Sequence, residues 1–208
     1  MVMVKFCGLT RPCDIDAVNE LMPDYVGFVF WKNSRRYITP ENALSLRKSL
    51  HDDIITVGVF VDESPRVIAD MADTRRGAAC GSGVVDIVQL HGHEDSEYIS
   101  HLRTITHAKI IQAFRIKTAD DVLRAEKSMA DFVLLDAGMG TGKLFDWSLI
   151  RGINRPYFLA GGLDADNVKE AVKTLSPYAV DVSSGIETDG HKDRVKMSAF
   201  ISTLRREK

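Results

Sequence analysis

A cysteine and an aspartate each close an apolar run in this 208-residue chain. Cys7 ends the run Val4-Lys5-Phe6-Cys7, and Asp136 ends Phe132-Val133-Leu134-Leu135-Asp136. A thiol and a carboxyl at the rims of two strands form a base and an acid for metal-free proton transfer. Each has a plainer reading. A strand cysteine also serves as a small core hydrophobe, and a strand-end aspartate also caps a helix or anchors a loop. Gly8 stops the first run directly after Cys7, and Lys5, two residues earlier, points to the same face. An ammonium there is expected to favour the thiolate.

Other residues point to an anionic small molecule. Ala160-Gly161-Gly162-Leu163 and Asp181-Val182-Ser183-Ser184-Gly185 each follow an apolar run with small residues. Their bare backbone N–H groups and hydroxyls suit a phosphate monoester. In Ser34-Arg35-Arg36-Tyr37 one guanidinium is placed to clamp a carboxylate by its fork, although a basic pair in a loop is also an ordinary solvated surface. Asp181 is both a buried partner for Lys5 and part of the floor of a site. His91-Gly92-His93 admits a metal reading with Asp136, but no further His or carboxylate ends the second and third strands. His91 therefore reads as a polar rim position, and no metal is expected. Gly138-Met139-Gly140-Thr141-Gly142-Lys143 fails the phosphate-loop pattern, because Leu144 follows Lys143, and reads as a flexible active-site loop.

The bulk properties exclude several classes. A net charge of −2 offers no basic stripe for nucleic acid. No apolar run approaches the roughly 20 residues of a membrane span, and the N-terminus lacks a signal-peptide pattern. Cys7, Cys13 and Cys80 are odd in number and scattered, so they read as free thiols of a cytosolic protein.

These residues need a scaffold that brings strand ends together. Strands are expected at 4–7, 25–30, 56–60, 84–90, 109–113, 132–136, 157–160 and 179–182. Helices are expected at 11–21, 40–49, 64–72, 94–105, 119–129, 166–175 and 192–205, with a short one at 146–150. Eight βα units in 208 residues, about 26 each, approach the lower size of an α/β (β/α)₈ TIM barrel. An open doubly wound sheet is the alternative. No linker or composition break divides the chain, so residues 1–208 read as one domain. The segment 75–83, with three glycines, is expected to form a mobile loop away from the active face.

The motifs quoted above, with Gly27-Phe28-Val29-Phe30, Gln89-Leu90-His91-Gly92 and Gly142-Lys143-Leu144-Phe145-Asp146-Trp147, occur in order along nearly the whole chain. As an ordered set they resemble the phosphoribosylanthranilate isomerases of tryptophan biosynthesis. That resemblance implies a cofactor-free Amadori rearrangement of an aminoaldose to an aminoketose. It makes Cys7 the general base, Asp136 the general acid and Arg36 the ligand of the anthranilate carboxylate. It places the phosphate on Gly161, Gly162, Ser184 and Gly185, with His91 and Asp181 also in the substrate site. Leu144 departs from the family's usual Thr, and 75–83 is longer than usual. The competing expectations are a metal-dependent sugar-phosphate epimerase using His91 and His93, and a non-catalytic phosphate-binding barrel.

Overall fold

Eight parallel strands alternate with helices and close on themselves. The structure is a computed structural model and describes residues 1–72, 83–136, 138, 147–150 and 152–205. Cys80, Leu144, most of 75–83 and 139–143 therefore lie outside the described residues. The strands are β1 (Met3–Cys7), β2 (Tyr25–Val29), β3 (Ile55–Phe60), β4 (Ile87–Leu90), β5 (Lys109–Arg115), β6 (Phe132–Asp136), β7 (Tyr157–Ala160) and β8 (Ala179–Val182). Between and after them run α1 (Pro12–Leu21), α2 (Pro40–Lys48), α3 (Pro65–Met71), α4 (Ser96–Ile105), α5 (Ala119–Glu126), α6 (Val168–Leu175) and α7 (Arg194–Arg205). The barrel closes where β1 pairs with β8, with Lys5 opposite Asp181. The open-sheet alternative is thereby excluded.

Alternation along each strand explains the two cores. Phe6, Val26, Val88, Val133 and Val180 face outward and pack with the helices. Tyr25, Val57, Ile87, Ile111, Leu134 and Phe158 fill the barrel interior. Cys7, Val29 and Val59 form a smaller cluster at the C-terminal rim. Proline opens α1, α2 and α3, where its missing N–H has no helical partner to lose. Asp95 caps α4 by accepting from the Tyr98 amide at 2.8 Å.

Of the expected boundaries that move, three have a plain tertiary reason. β4 starts at Ile87 rather than residue 84. The amides of Val84 and Val85 turn to the Met71 carbonyl at the end of α3, and the Asp86 carboxylate accepts from the Thr56 amide at 2.9 Å. α5 stops at Glu126 instead of 129, because Arg155 gathers the carbonyls of Ala125, Ser128 and Ala130. α7 begins at Arg194, not 192. The residues before it make a small antiparallel hairpin, β9 (Glu187–Thr188) with β10 (His191–Lys192). Asp189 and Gly190 turn it with φ of 51° and 79°, the left-handed pair that a tight hairpin requires.

Candidate active site

Parity along β1 sets the site's floor. Lys5 and Cys7 face inward, and Lys5 is fully buried. Burying an ammonium alone costs several kcal/mol, roughly, and two partners meet it. Its Nζ donates to Asp181 Oδ1 at 2.9 Å and to Gln89 Oε1 at 2.9 Å. An ammonium has no acceptor, so the Gln89 carbonyl must face Lys5. That turns the Gln89 amide nitrogen toward His91 Nδ1, 3.1 Å away. With Nδ1 accepting, the neutral His91 ring carries its hydrogen on Nε2. This tautomer is assigned from the network.

The charges are settled by the same geometry. Burial pushes the His91 ring down from its ordinary value, against the pull of Asp136 and Asp181, which keeps it neutral. Burial also opposes the Lys5 charge, but Asp181 and Cys7 outweigh it and hold Lys5 above the usual ammonium range. Lys5 favours the Cys7 thiolate as expected, but burial outweighs it. Burial pushes the Cys7 thiol up, and Asp181 adds to this, while Lys5 and Lys192 only partly offset it. The expected thiolate is therefore not the resting form. Burial, more than Asp181, is what Lys5 fails to overcome.

The strand ends surround a cleft of about 390 Å³ that Cys7, Arg36, His91, Asp136, Gly161, Gly162, Asp181 and Ser184 all line. Asp136 stands half-buried at the end of β6, its Oδ1 accepting from the Gly138 amide at 2.9 Å. Gly161 and Gly162 take φ of 97° and 64°, which favour glycine. Gly185 lies just behind the lining. A Cβ there would come within 1.9 Å of the Leu163 carbonyl oxygen, so glycine lets the turn after β8 close on the turn after β7. Arg36 lines the cleft, while its neighbour Arg35 is exposed and outside it. His93 parts from His91: it is exposed and pairs with Asp62 at 2.9 Å.

The sequence reading missed Gln89 as the link from Lys5 to His91, and Trp31 at the cleft mouth. It also missed Glu187, whose carboxylate already holds Arg36 Nε at 2.6 Å and Nη2 at 2.8 Å. The guanidinium fork expected to await a ligand is thus half occupied. Lys192, read as helical, is buried and donates to Glu187 Oε1 at 2.6 Å. The Asp189-Gly190 pair was the signal for this hairpin.

A closed parallel barrel with a thiol, a carboxyl and two small-residue turns at its C-terminal rim defines an acid–base enzyme of the (β/α)₈ class. Residues 4–203 match the family model of N-(5'-phosphoribosyl)anthranilate (PRA) isomerase. The chain belongs to this family. The isomerase of Thermoanaerobacter sp. (strain X514) is 43% identical over 212 residues, covering 99% of this chain and 98% of that one. The crystal structure of the Thermotoga maritima enzyme has a TM-score of 0.85 at 37% identity, with 99% of both chains covered. A phosphoribosyl anthranilate isomerase in complex with reduced 1-(o-carboxyphenylamino)-1-deoxyribulose 5-phosphate has a TM-score of 0.83 at 36% identity, again over 99% of each chain.

Proposed function

We propose that Cys7 and Asp136 are the base and acid of the reaction this family performs, the isomerisation of N-(5'-phosphoribosyl)anthranilate in tryptophan biosynthesis. The observation that carries the assignment is that both strand-end groups line one cleft with the turns after β7 and β8. Asp136 gives a proton to the ribose ring oxygen. The C1–O bond breaks, and the anilino nitrogen supplies its lone pair to form an iminium at C1. The iminium acidifies the C2 proton, which Cys7 removes, and the C2–H electrons flow into an enolamine. Protonation at C1 and loss of the enol proton yield the aminoketose, with no net change in atoms.

The other residues hold the substrate. The phosphate rests on Gly161, Gly162 and Ser184, with Gly185 shaping that turn. The Nη1 end of Arg36 meets the anthranilate carboxylate. His91 Nε2–H donates to a sugar oxygen, and Asp181 keeps Lys5 in place beneath Cys7. A bound phosphorylated ligand in a family member supports this reading. The metal-dependent epimerase draws no support, since His91 and His93 have separate partners and the family is an aldose–ketose isomerase. A cytosolic location suits the free thiols Cys7 and Cys13. Among the described residues no helix is long and apolar enough to cross a membrane.

The test is turnover of phosphoribosylanthranilate followed by loss of its fluorescence, with and without chelator. Parent enzyme should be chelator-insensitive. Asp136→Asn should fold normally and lose roughly 10²–10⁴ in kcat. Near-parental turnover by folded Asp136→Asn would remove Asp136 from the acid's role.

A further inference from the structure

Glu187 has no place in the proton transfers, yet it is tied to Arg36 more tightly than any solvent-facing pair requires. Its two oxygens accept from Nε and Nη2, a bidentate contact that fixes the plane as well as the position of the guanidinium. The contact uses the Nε–Nη2 edge and leaves Nη1 out of it, in a residue that lines the cleft. The Arg36 stem lies close over Gly8, where a Cβ would stand 2.4 Å from Arg36 Cδ. Arg36 is therefore held at its stem and at its head.

Glu187 is itself anchored. Lys192 Nζ donates to its Oε1 and also to the Ser183 carbonyl at 3.0 Å and the Ser183 hydroxyl at 3.1 Å. The Ser183 hydroxyl donates to the Cys7 carbonyl at 2.9 Å. Arg11 Nη2 holds the Lys192 carbonyl at 2.6 Å, and Lys196 Nζ holds the Glu187 carbonyl at 2.6 Å. The hairpin that carries Glu187 thus leaves the phosphate turn and is bolted to β1 and to Arg11, the N-cap of α1. The charges matter as much. One carboxylate lies between two cations, so the cluster keeps a net charge of +1. Burial works against the Glu187 charge, but Arg36 and Lys192 hold its carboxyl below the usual range. A partly buried surplus cation is stabilised by an incoming anion.

We infer that Glu187 is a positioning residue for substrate selection. Through Arg36, and with Lys192 as its buried counter-charge, it presets the site for a ligand bearing an aryl carboxylate at a fixed distance from its phosphate. This rests on the reading that Arg36 meets the substrate carboxylate.

The experiment uses the full chain with Glu187→Ala, Glu187→Gln and Arg36→Lys. Two probes are titrated: the reduced product, and its counterpart with plain phenyl in place of carboxyphenyl. Glu187→Ala should weaken the reduced product about 10- to 100-fold, the scale on which losing an outer partner weakens metal-binding side chains. Binding of the carboxylate-free probe should hardly change. KM should rise with kcat nearly kept, and Glu187→Gln, which preserves the side chain's shape and one acceptor, should lose less. Equal losses on both probes would make Glu187 a structural tie only and overturn the inference, as would no loss on either. Arg36→Lys separates the two claims. If it distinguishes the probes and the Glu187 variants do not, only the inference falls. If it does not distinguish them, the reading of Arg36 falls with it.

Discussion

At the scale of single residues, the protonation of Cys7 governs the chemistry. An ordinary thiol is about 3% ionised at pH 7, and making the thiolate there costs roughly 2 kcal/mol. Burial and Asp181 push Cys7 further in that direction, and the nearby ammoniums only partly oppose them. The folded pKa is raised, so the thiolate fraction at neutral pH lies below the ordinary one and climbs as pH rises. Iodoacetamide inactivation should therefore speed up about tenfold per pH unit through neutral pH, with no plateau below about 8.5. Bound reduced product should protect. Cys13 is exposed and will react as well, so modification at Cys7 is read by peptide mass. A plateau below neutral pH would mean that Lys5 and Lys192 prevail over burial.

At the scale of elements, the turns after β7 and β8 act as one unit. Gly185 lies against the Leu163 carbonyl with no room for a side chain. The atom it meets is backbone, so it cannot swing aside as a side chain would. Gly185→Ala must push the two turns apart, at about 1–3 kcal/mol for overpacking. Urea unfolding should show a lower midpoint, and competition by inorganic phosphate should weaken in parallel. An unchanged midpoint and phosphate affinity would show that the turns separate freely and do not share a ligand.

At the scale of the whole molecule, the barrel seam carries a buried ion pair. Lys5 and Asp181 lie on β1 and β8 at opposite ends of the chain and meet at 2.9 Å. Asp181→Leu leaves the Lys5 ammonium without its counter-charge and should cost about 3–5 kcal/mol. Replacing both, as Lys5→Met with Asp181→Leu, should recover most of that stability, because an apolar pair of similar volume suits the interior. Activity should not return, since Lys5 is the cation sharing the inward face with Cys7. Denaturant midpoints and turnover of the three proteins check this. A double variant as unstable as the single one would mean that the seam depends on the pair itself.

The order of the eight units, the inward parity of Lys5 and Cys7, and the strand-end positions of Cys7 and Asp136 were legible in the sequence. They follow from local rules: apolar runs, the period of two along a strand, and the glycines and prolines that stop or start elements. The Lys5–Asp181 pair was legible too, because closure brings the first and last strands together. The hairpin at 187–192 was signalled by Asp189-Gly190, but its last residue, Lys192, was read as the start of the final helix. The start of β4 was not legible, since Val84 and Val85 are as apolar as the strand they precede and only their hydrogen bonds to Met71 exclude them. Nor could spacing show that Glu187, 151 positions from Arg36, takes half of its fork, or that Cys7 rests as a thiol. Charge pairing and desolvation depend on distances through space and on what covers a group. Those quantities exist only once the chain has closed into the barrel.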